Sequence, residues 1–178
     1  MPGKRAVFLD RDGVINQAVV RDGKPYPPSG VGELKLVEGA ADALRDLKQA
    51  GFFLIVVTNQ PDIARGTQDR AAVDSIHQAL RETLPLDDVF VCPHDDVDHC
   101  DCRKPLPGLL LRAAEKYDID LPHSFVIGDR WRDVDAGASA GCTTVWIDYG
   151  YHERLSAAEA SVTVESIRAA ADWILSQP

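Results

Sequence analysis

Gly51-Phe52-Phe53-Leu54-Ile55-Val56-Val57-Thr58-Asn59-Gln60 sets a continuous apolar run between a glycine and three polar side chains. A strand with one wet face alternates apolar and polar residues. Residues 52–57 do not alternate, so they read as a strand buried on both faces, the kind a parallel sheet contains. The segments on either side agree. Residues 37–51 carry Ala40, Ala41, Leu44 and Leu47 at helical spacing and close on Gly51. Residues 68–84 carry Ala72, Ile76 and Leu80 at the same spacing. Working outward, strands are expected at 6–9, 89–91, 124–127 and 143–147, and helices at 107–117, 133–140 and 164–175. This alternation with short connections predicts an α/β fold with a doubly wound, mainly parallel, Rossmann-like sheet. Ligands of such sheets bind beyond the carboxyl ends of the strands. Residues 16–32, rich in glycine and proline, read as a loop that overhangs that end as a lid.

The chain has 178 residues, enough for one domain with a sizeable core, and 45% hydrophobic content is that of a globular protein. The longest apolar run, 51–57, is strand-sized, which excludes a membrane span by this measure. The opening MPGKRAVFLD enters a strand directly without the apolar core of a signal peptide, so a cytoplasmic location is expected. A net charge of −9 argues against a nucleic-acid or anionic-membrane surface, while leaving room for a small anionic substrate in a locally positive cleft. Nothing in the sequence requires an oligomer, and a monomer is expected.

Three motifs fall at expected strand ends. Asp10-Arg11-Asp12-Gly13 follows the first strand. Asp10 ends an apolar run where its charge is costly without a cation, and Mg²⁺ is the natural partner of oxygen ligands. An Asp-rich turn is the plainer explanation of the same residues. Thr58-Asn59-Gln60 offers a hydroxyl and two amides able to donate to phosphate oxygens, or is simply strand-end polarity. Gly128-Asp129-Arg130 follows the strand at 124–127, and Asp129 offers a further carboxylate. Asp133 is read equally as a helix cap or as support for a metal, and Asp135 as a solvated helix residue.

The fourth motif is Cys92-Pro93-His94, five residues, then Cys100-Asp101-Cys102-Arg103-Lys104-Pro105. Cys92, His94, Cys100 and Cys102 match a closed tetrahedral Zn²⁺ site. His99 is a competing ligand, though its adjacency to Cys100 makes joint ligation awkward. Disulfides or free thiols are the alternative, and they fit a cytosolic chain less well. A structural zinc would stiffen the loop at 92–102 and so set Arg103 and Lys104 in place. Cys142 reads as a small buried residue.

With Asp10-x-Asp12, Thr58, Lys104 and Gly128-Asp129 in this order, residues 6–149 resemble the haloacid-dehalogenase superfamily of aspartate-nucleophile phosphatases. The closer resemblance is to its zinc-loop branch, which holds heptose-bisphosphate and histidinol-phosphate phosphatases. Residues 58–66 look like the heptose enzymes, whereas the short gap before Cys100 and Arg130 after Asp129 look like the histidinol enzymes. The resemblance implies a fold without a large cap domain, and Asp10 as nucleophile with Asp12 as acid and base. It also implies Mg²⁺ on Asp10, the Asp12 backbone carbonyl and Asp129. Thr58 and Lys104 would then hold the phosphoryl oxygens, and Asn59, Gln60, Arg103 and Arg130 would contact the small phosphorylated substrate. The expected reaction is removal of the 7-phosphate of D-glycero-D-manno-heptose 1,7-bisphosphate, with histidinol phosphate as the alternative. Two further rivals are a non-catalytic interaction module on a degenerate scaffold, against which the intact acidic set speaks, and a polynucleotide end phosphatase, against which the charge speaks.

Overall fold

A computed structural model describes residues 3–22 and 24–178. Its sheet begins with β1 (Ala6–Leu9), every residue of which is buried. Ala6 and Phe8 pack into one core, Val7 and Leu9 into another, so the strand is covered on both faces. The run at Phe52 becomes β4 (Phe53–Asn59), which pairs in parallel with β1. It continues two residues past the apolar run because Thr58 and Asn59 still pair with β5 (Asp88–Cys92). On the other side of β1 lie β6 (Phe125–Gly128), β7 (Thr143–Ile147) and β8 (Val162–Val164). The sheet is parallel throughout, in the order β5-β4-β1-β6-β7-β8.

Five helices cover it. The amphipathic α1 (Ala40–Gln49), α2 (Arg70–Thr83) and α5 (Ile167–Leu175) bury Leu44, Leu47, Ile76, Leu80 and Ile174 on one face. On the other face α3 (Gly108–Tyr117) and α4 (Trp131–Ser139) bury Leu109, Leu110 and Ala136. The chain leaves β1 toward β4 and returns on its other side at β6, so the switch point of the sheet lies at the carboxyl end of β1.

Several expectations need correction. Residues 16–32 hold an antiparallel hairpin, β2 (Val19–Arg21) and β3 (Lys24–Tyr26), followed by a 3-10 turn at Val31–Glu33. Gly23, within that expected loop, lies outside the described residues. Helix α1 starts at Ala40 rather than 37, because the Val37 N–H is taken by Ile15 O at 2.8 Å and Gly39 turns left-handed, φ 78°. Helix α4 starts two residues early, at Trp131, because the Asp133 carboxylate accepts from Arg130 N at 3.1 Å and closes its first turn. Val164 belongs to β8; helix α5 begins only after Ser166, whose hydroxyl accepts from Ala169 N at 3.1 Å. Asp135 is buried and accepts from Ala157 N and Ala158 N at 3.1 and 2.9 Å. It pins the 157–158 turn and is not a solvated residue. Cys142 is buried, as expected, and burial pushes its thiol up to about 12.

Among the described residues no large cap domain covers the strand ends; the β2–β3 hairpin stands there instead. No described helix is long and apolar enough to cross a membrane.

Candidate active site

Beyond the carboxyl ends of β1, β4 and β6 opens a cleft of about 520 Å³ whose walls include Asp10, Asp12, Asn59, Lys104, Asp129 and Asp133. Asp10 N still bonds Ile127 O at 3.0 Å, so its backbone is an extension of the sheet. Asp129 follows Gly128, the last residue of β6, and is 3% exposed. One ligand oxygen each from Asp10, Asp129 and Asp133 lie within 4.8 Å of one another. Two glycines permit this crowding. A Cβ on Gly13, which sits at φ 90°, would meet Asp129 Oδ2 at 2.1 Å. A Cβ on Gly128 would meet Asp133 Cβ at 2.1 Å.

Lys104 is the counter-charge. It is 3% exposed, and its Nζ donates to Asp10 Oδ1 at 2.9 Å, Asp133 Oδ1 at 2.6 Å and Val57 O at 2.7 Å. All three of its protons are therefore used. Burial alone would lower the Lys104 pKa, but the Asp10 and Asp133 charges raise it above its ordinary value. Three carboxylates thus face one ammonium, which leaves two negative charges unmatched. The cost is visible on the acids. Burial, then Asp133, raises Asp10 to about 6 against the pull of Lys104. Burial, then Asp10 and Asp133, raises Asp129 to about 9. Asp129 Oδ1 is moreover a buried oxygen with no hydrogen-bond partner. A divalent cation on this oxygen set would satisfy the orphaned acceptor and match the surplus charge.

Asp12 faces differently. Its carboxylate accepts from Arg11 Nη2 at 2.9 Å, Asn16 Nδ2 at 2.9 Å and Gln60 Nε2 at 2.8 Å. Gln60, expected against substrate, is 1% exposed and also donates to Thr58 Oγ1 at 2.9 Å. Asn59 grips the Lys104 backbone from both sides: Lys104 N donates to its Oδ1 at 3.0 Å, and its Nδ2 donates to Lys104 O at 3.1 Å. Both amides are therefore engaged within the protein. Asp133 caps its helix and pairs with Lys104 at once.

On the outer wall Arg103 Nε donates to Asp96 Oδ1 at 2.7 Å. Arg132, which the sequence reading passed over, lies 3.5 Å from the same oxygen and donates to Lys104 O at 3.1 Å. Its place in the first turn of α4, beside Asp133, was the available signal. Arg130 is turned toward Glu153, Nε to Oε2 2.6 Å.

The Cys/His quartet closes just behind Lys104. Cys92 is the last residue of β5, and Cys100 and Cys102 return after a 3-10 turn at Asp96–Asp98. Cys92 Sγ lies 3.2 Å from Cys102 Sγ and 3.7 Å from Cys100 Sγ; His94 Nδ1 lies 3.3 Å from Cys102 Sγ. These sulfurs are far beyond disulfide length and near the edges of about 3.5–3.8 Å that tetrahedral zinc–ligand distances give. Burial pulls the Cys100 thiol upward, but the Cys102 and Arg103 backbone N–H groups win and hold it at about 7, close to the thiolate a metal needs. His99 takes the left-handed residue that ends the turn, φ 49°, and is not in the gathered set.

A protein named D-glycero-beta-D-manno-heptose-1,7-bisphosphate 7-phosphatase, from Bordetella bronchiseptica, is 34% identical over 97% of this chain and 99% of its own length. The chain belongs to the haloacid-dehalogenase-like phosphatases. The HAD-hydrolase-like family model matches residues 101–170. The Yersinia pestis protein of the same name is 36% identical to this HAD-like chain over 96% of the chain and 89% of its own length. A solved structure of D,D-heptose 1,7-bisphosphate phosphatase from B. bronchiseptica, complexed with magnesium and phosphate, matches the HAD-like fold described above. Its TM-score is 0.80, covering 96% of this chain and 98% of that one.

Proposed function

We propose that the chain is a magnesium-dependent phosphomonoesterase that removes the 7-phosphate of D-glycero-D-manno-heptose 1,7-bisphosphate. The observation that carries this is the buried acidic set around a single lysine, with one carboxylate oxygen of Asp129 left without a partner. Mg²⁺ on Asp10, Asp129 and the Asp12 backbone carbonyl would offset the repulsion between a carboxylate nucleophile and a phosphate dianion.

An oxygen of the Asp10 carboxylate attacks phosphorus. The bond to Asp10 forms as the bond to the sugar oxygen breaks, and the Asp12 carboxyl gives that oxygen its proton. In the second step Asp12 takes a proton from water, whose oxygen attacks phosphorus. The bond to Asp10 breaks, inorganic phosphate leaves and both aspartates are restored. Lys104 holds Asp10 by one oxygen, which aims the other at the substrate.

The heptose bisphosphate is favoured over histidinol phosphate by the outer wall. Arg103 and Arg132 share the Asp96 carboxylate, whose side chain is 63% exposed and readily exchanged for a second phosphate. An imidazole and an ammonium would instead need carboxylates free of arginine. The gathered cysteines are read as a structural Zn²⁺ site within a single 1–178 domain, and thiolates reserved for a metal fit a cytoplasmic protein. A monomer is proposed.

A phosphate-release panel tests the substrate. It compares both anomers of heptose 1,7-bisphosphate with histidinol phosphate, each with and without Mg²⁺. The expected result is a bisphosphate preference of about 10²-fold or more in kcat/KM, seen only with Mg²⁺. A preference for histidinol phosphate, or equal rates without Mg²⁺, would overturn the reading.

A further inference from the structure

Arg11 stands between Asp10 and Asp12 in sequence, yet its side chain turns away from the cleft and is fully buried, 0% exposed. The guanidinium forks. Nε and Nη2 donate to Asp12 Oδ1 at 3.3 and 2.9 Å, and Nη2 also reaches Oδ2 at 3.1 Å. On its other side Nη1 lies 3.0 Å from His77 Nε2, on helix α2 and 66 residues away. A guanidinium has donors only, so Nε2 accepts and the imidazole carries its one proton on Nδ1. Burial, then the neighbouring Arg11 charge, lowers His77 to about 4 and keeps the ring neutral. His77 is 7% exposed and is one wall of a separate groove of about 450 Å³ between α2 and β5.

Burying an arginine is costly, and apolar residues of similar volume would hold α2 against β1 at least as well. What the charged pair adds is direction. The fork ends on the one carboxylate that the proposed reaction asks to give and take a proton, and the neutral histidine anchors its far end to a helix. Asn16 and Gln60 bring two more donors to the same carboxylate.

Resting on the phosphatase reading above, we infer that Arg11 and His77 are positioning residues that hold the Asp12 carboxyl in the orientation its proton transfer requires. Neither touches the substrate. His77→Phe removes the acceptor, whereas the amide oxygen of His77→Gln can stand where Nε2 stood.

The test compares kcat/KM for phenyl phosphate and p-nitrophenyl phosphate in the Mg²⁺-loaded full chain. Phenolate leaves poorly without a proton; p-nitrophenolate needs little help. Since kcat/KM reports the steps through the first P–O cleavage, misplacing the acid shows as a leaving-group-dependent loss. His77→Phe is expected to lose about tenfold or more on phenyl phosphate but under about threefold on p-nitrophenyl phosphate, with His77→Gln restoring most of the difference. If the phenylalanine variant does not accumulate, His77→Ala supplies the same comparison. Equal losses on both esters, or no loss on either, would overturn the inference while the phosphatase reading stands. No release by the unaltered chain from either ester or from the heptose bisphosphate would sink that reading and this inference together.

Discussion

The Asp10–Asp129–Asp133 cluster and the Cys92–His94–Cys100–Cys102 cluster each bring their ligand atoms within 4.8 Å, yet they are built for opposite ends. The sulfur set is closed. Its four ligands surround one centre, two of them are buried, and none lines the cleft. The oxygen set is open. It faces a cleft, leaves a buried oxygen unpartnered and holds more negative charge than its lysine balances. A closed soft-ligand set fixes a loop, while an open hard-ligand set with surplus charge recruits a cation and an anionic substrate together. The two meet at Lys104, two residues past Cys102, whose ammonium enters the oxygen set while the sulfur set anchors its chain.

The largest expected effect comes from breaking the open cluster at its centre. Asp10→Asn should lower Mg²⁺-dependent phosphate release by at least about 10³-fold, with an unchanged far-ultraviolet circular dichroism spectrum. Retention of more than a tenth of the activity would remove Asp10 from its role.

The closed cluster should fail in another way. Purified protein should retain about one zinc per chain through gel filtration without Mg²⁺, while activity disappears and returns on adding Mg²⁺. The Cys100→Ser/Cys102→Ser variant should lose that zinc, melt several degrees lower and lose activity that Mg²⁺ does not restore. A double variant as stable and active as the parent would show that the loop needs no metal.

The smallest effect is a pH slope. Asp10 and Asp129 carry folded pKa values of about 6 and about 9 against an ordinary 3.8. Between those values the folded state binds more protons than the unfolded one, so raising the pH costs stability. The Mg²⁺-free protein should therefore lose melting temperature steadily from about pH 5 to pH 9, and Mg²⁺ should restore most at the alkaline end. A Mg²⁺-free protein that grows more stable over this range would mean that the acids are not crowded as described.

What could be read from the sequence was local or compositional. The run at Phe52 announced a doubly covered strand because neither face of β4 could be wet. The four soft ligands announced a zinc-like site because they sit within eleven residues. The expected Asp10 and Asp129 do converge, since strand ends of a parallel sheet meet at one edge, and Lys104 joins them from the loop between β5 and α3. The rest depended on distance. Arg11 and His77 meet across 66 residues, and nothing near either predicts the other. Asp135 is buried only because the turn at 157–158 folds back onto its helix. Strand β8 is only three residues long, too short for its Val-Thr-Val alternation to stand out, and Pro25 disguised the hairpin as a loop.

Rapid-quench single turnover with Mg²⁺, followed by peptide mass spectrometry, tests the central claim most directly. The account requires a transient phosphoryl group on the peptide containing Asp10, formed as fast as the sugar product and absent without Mg²⁺. Turnover that leaves this peptide unmodified at every time point, or that labels a different residue, would contradict it.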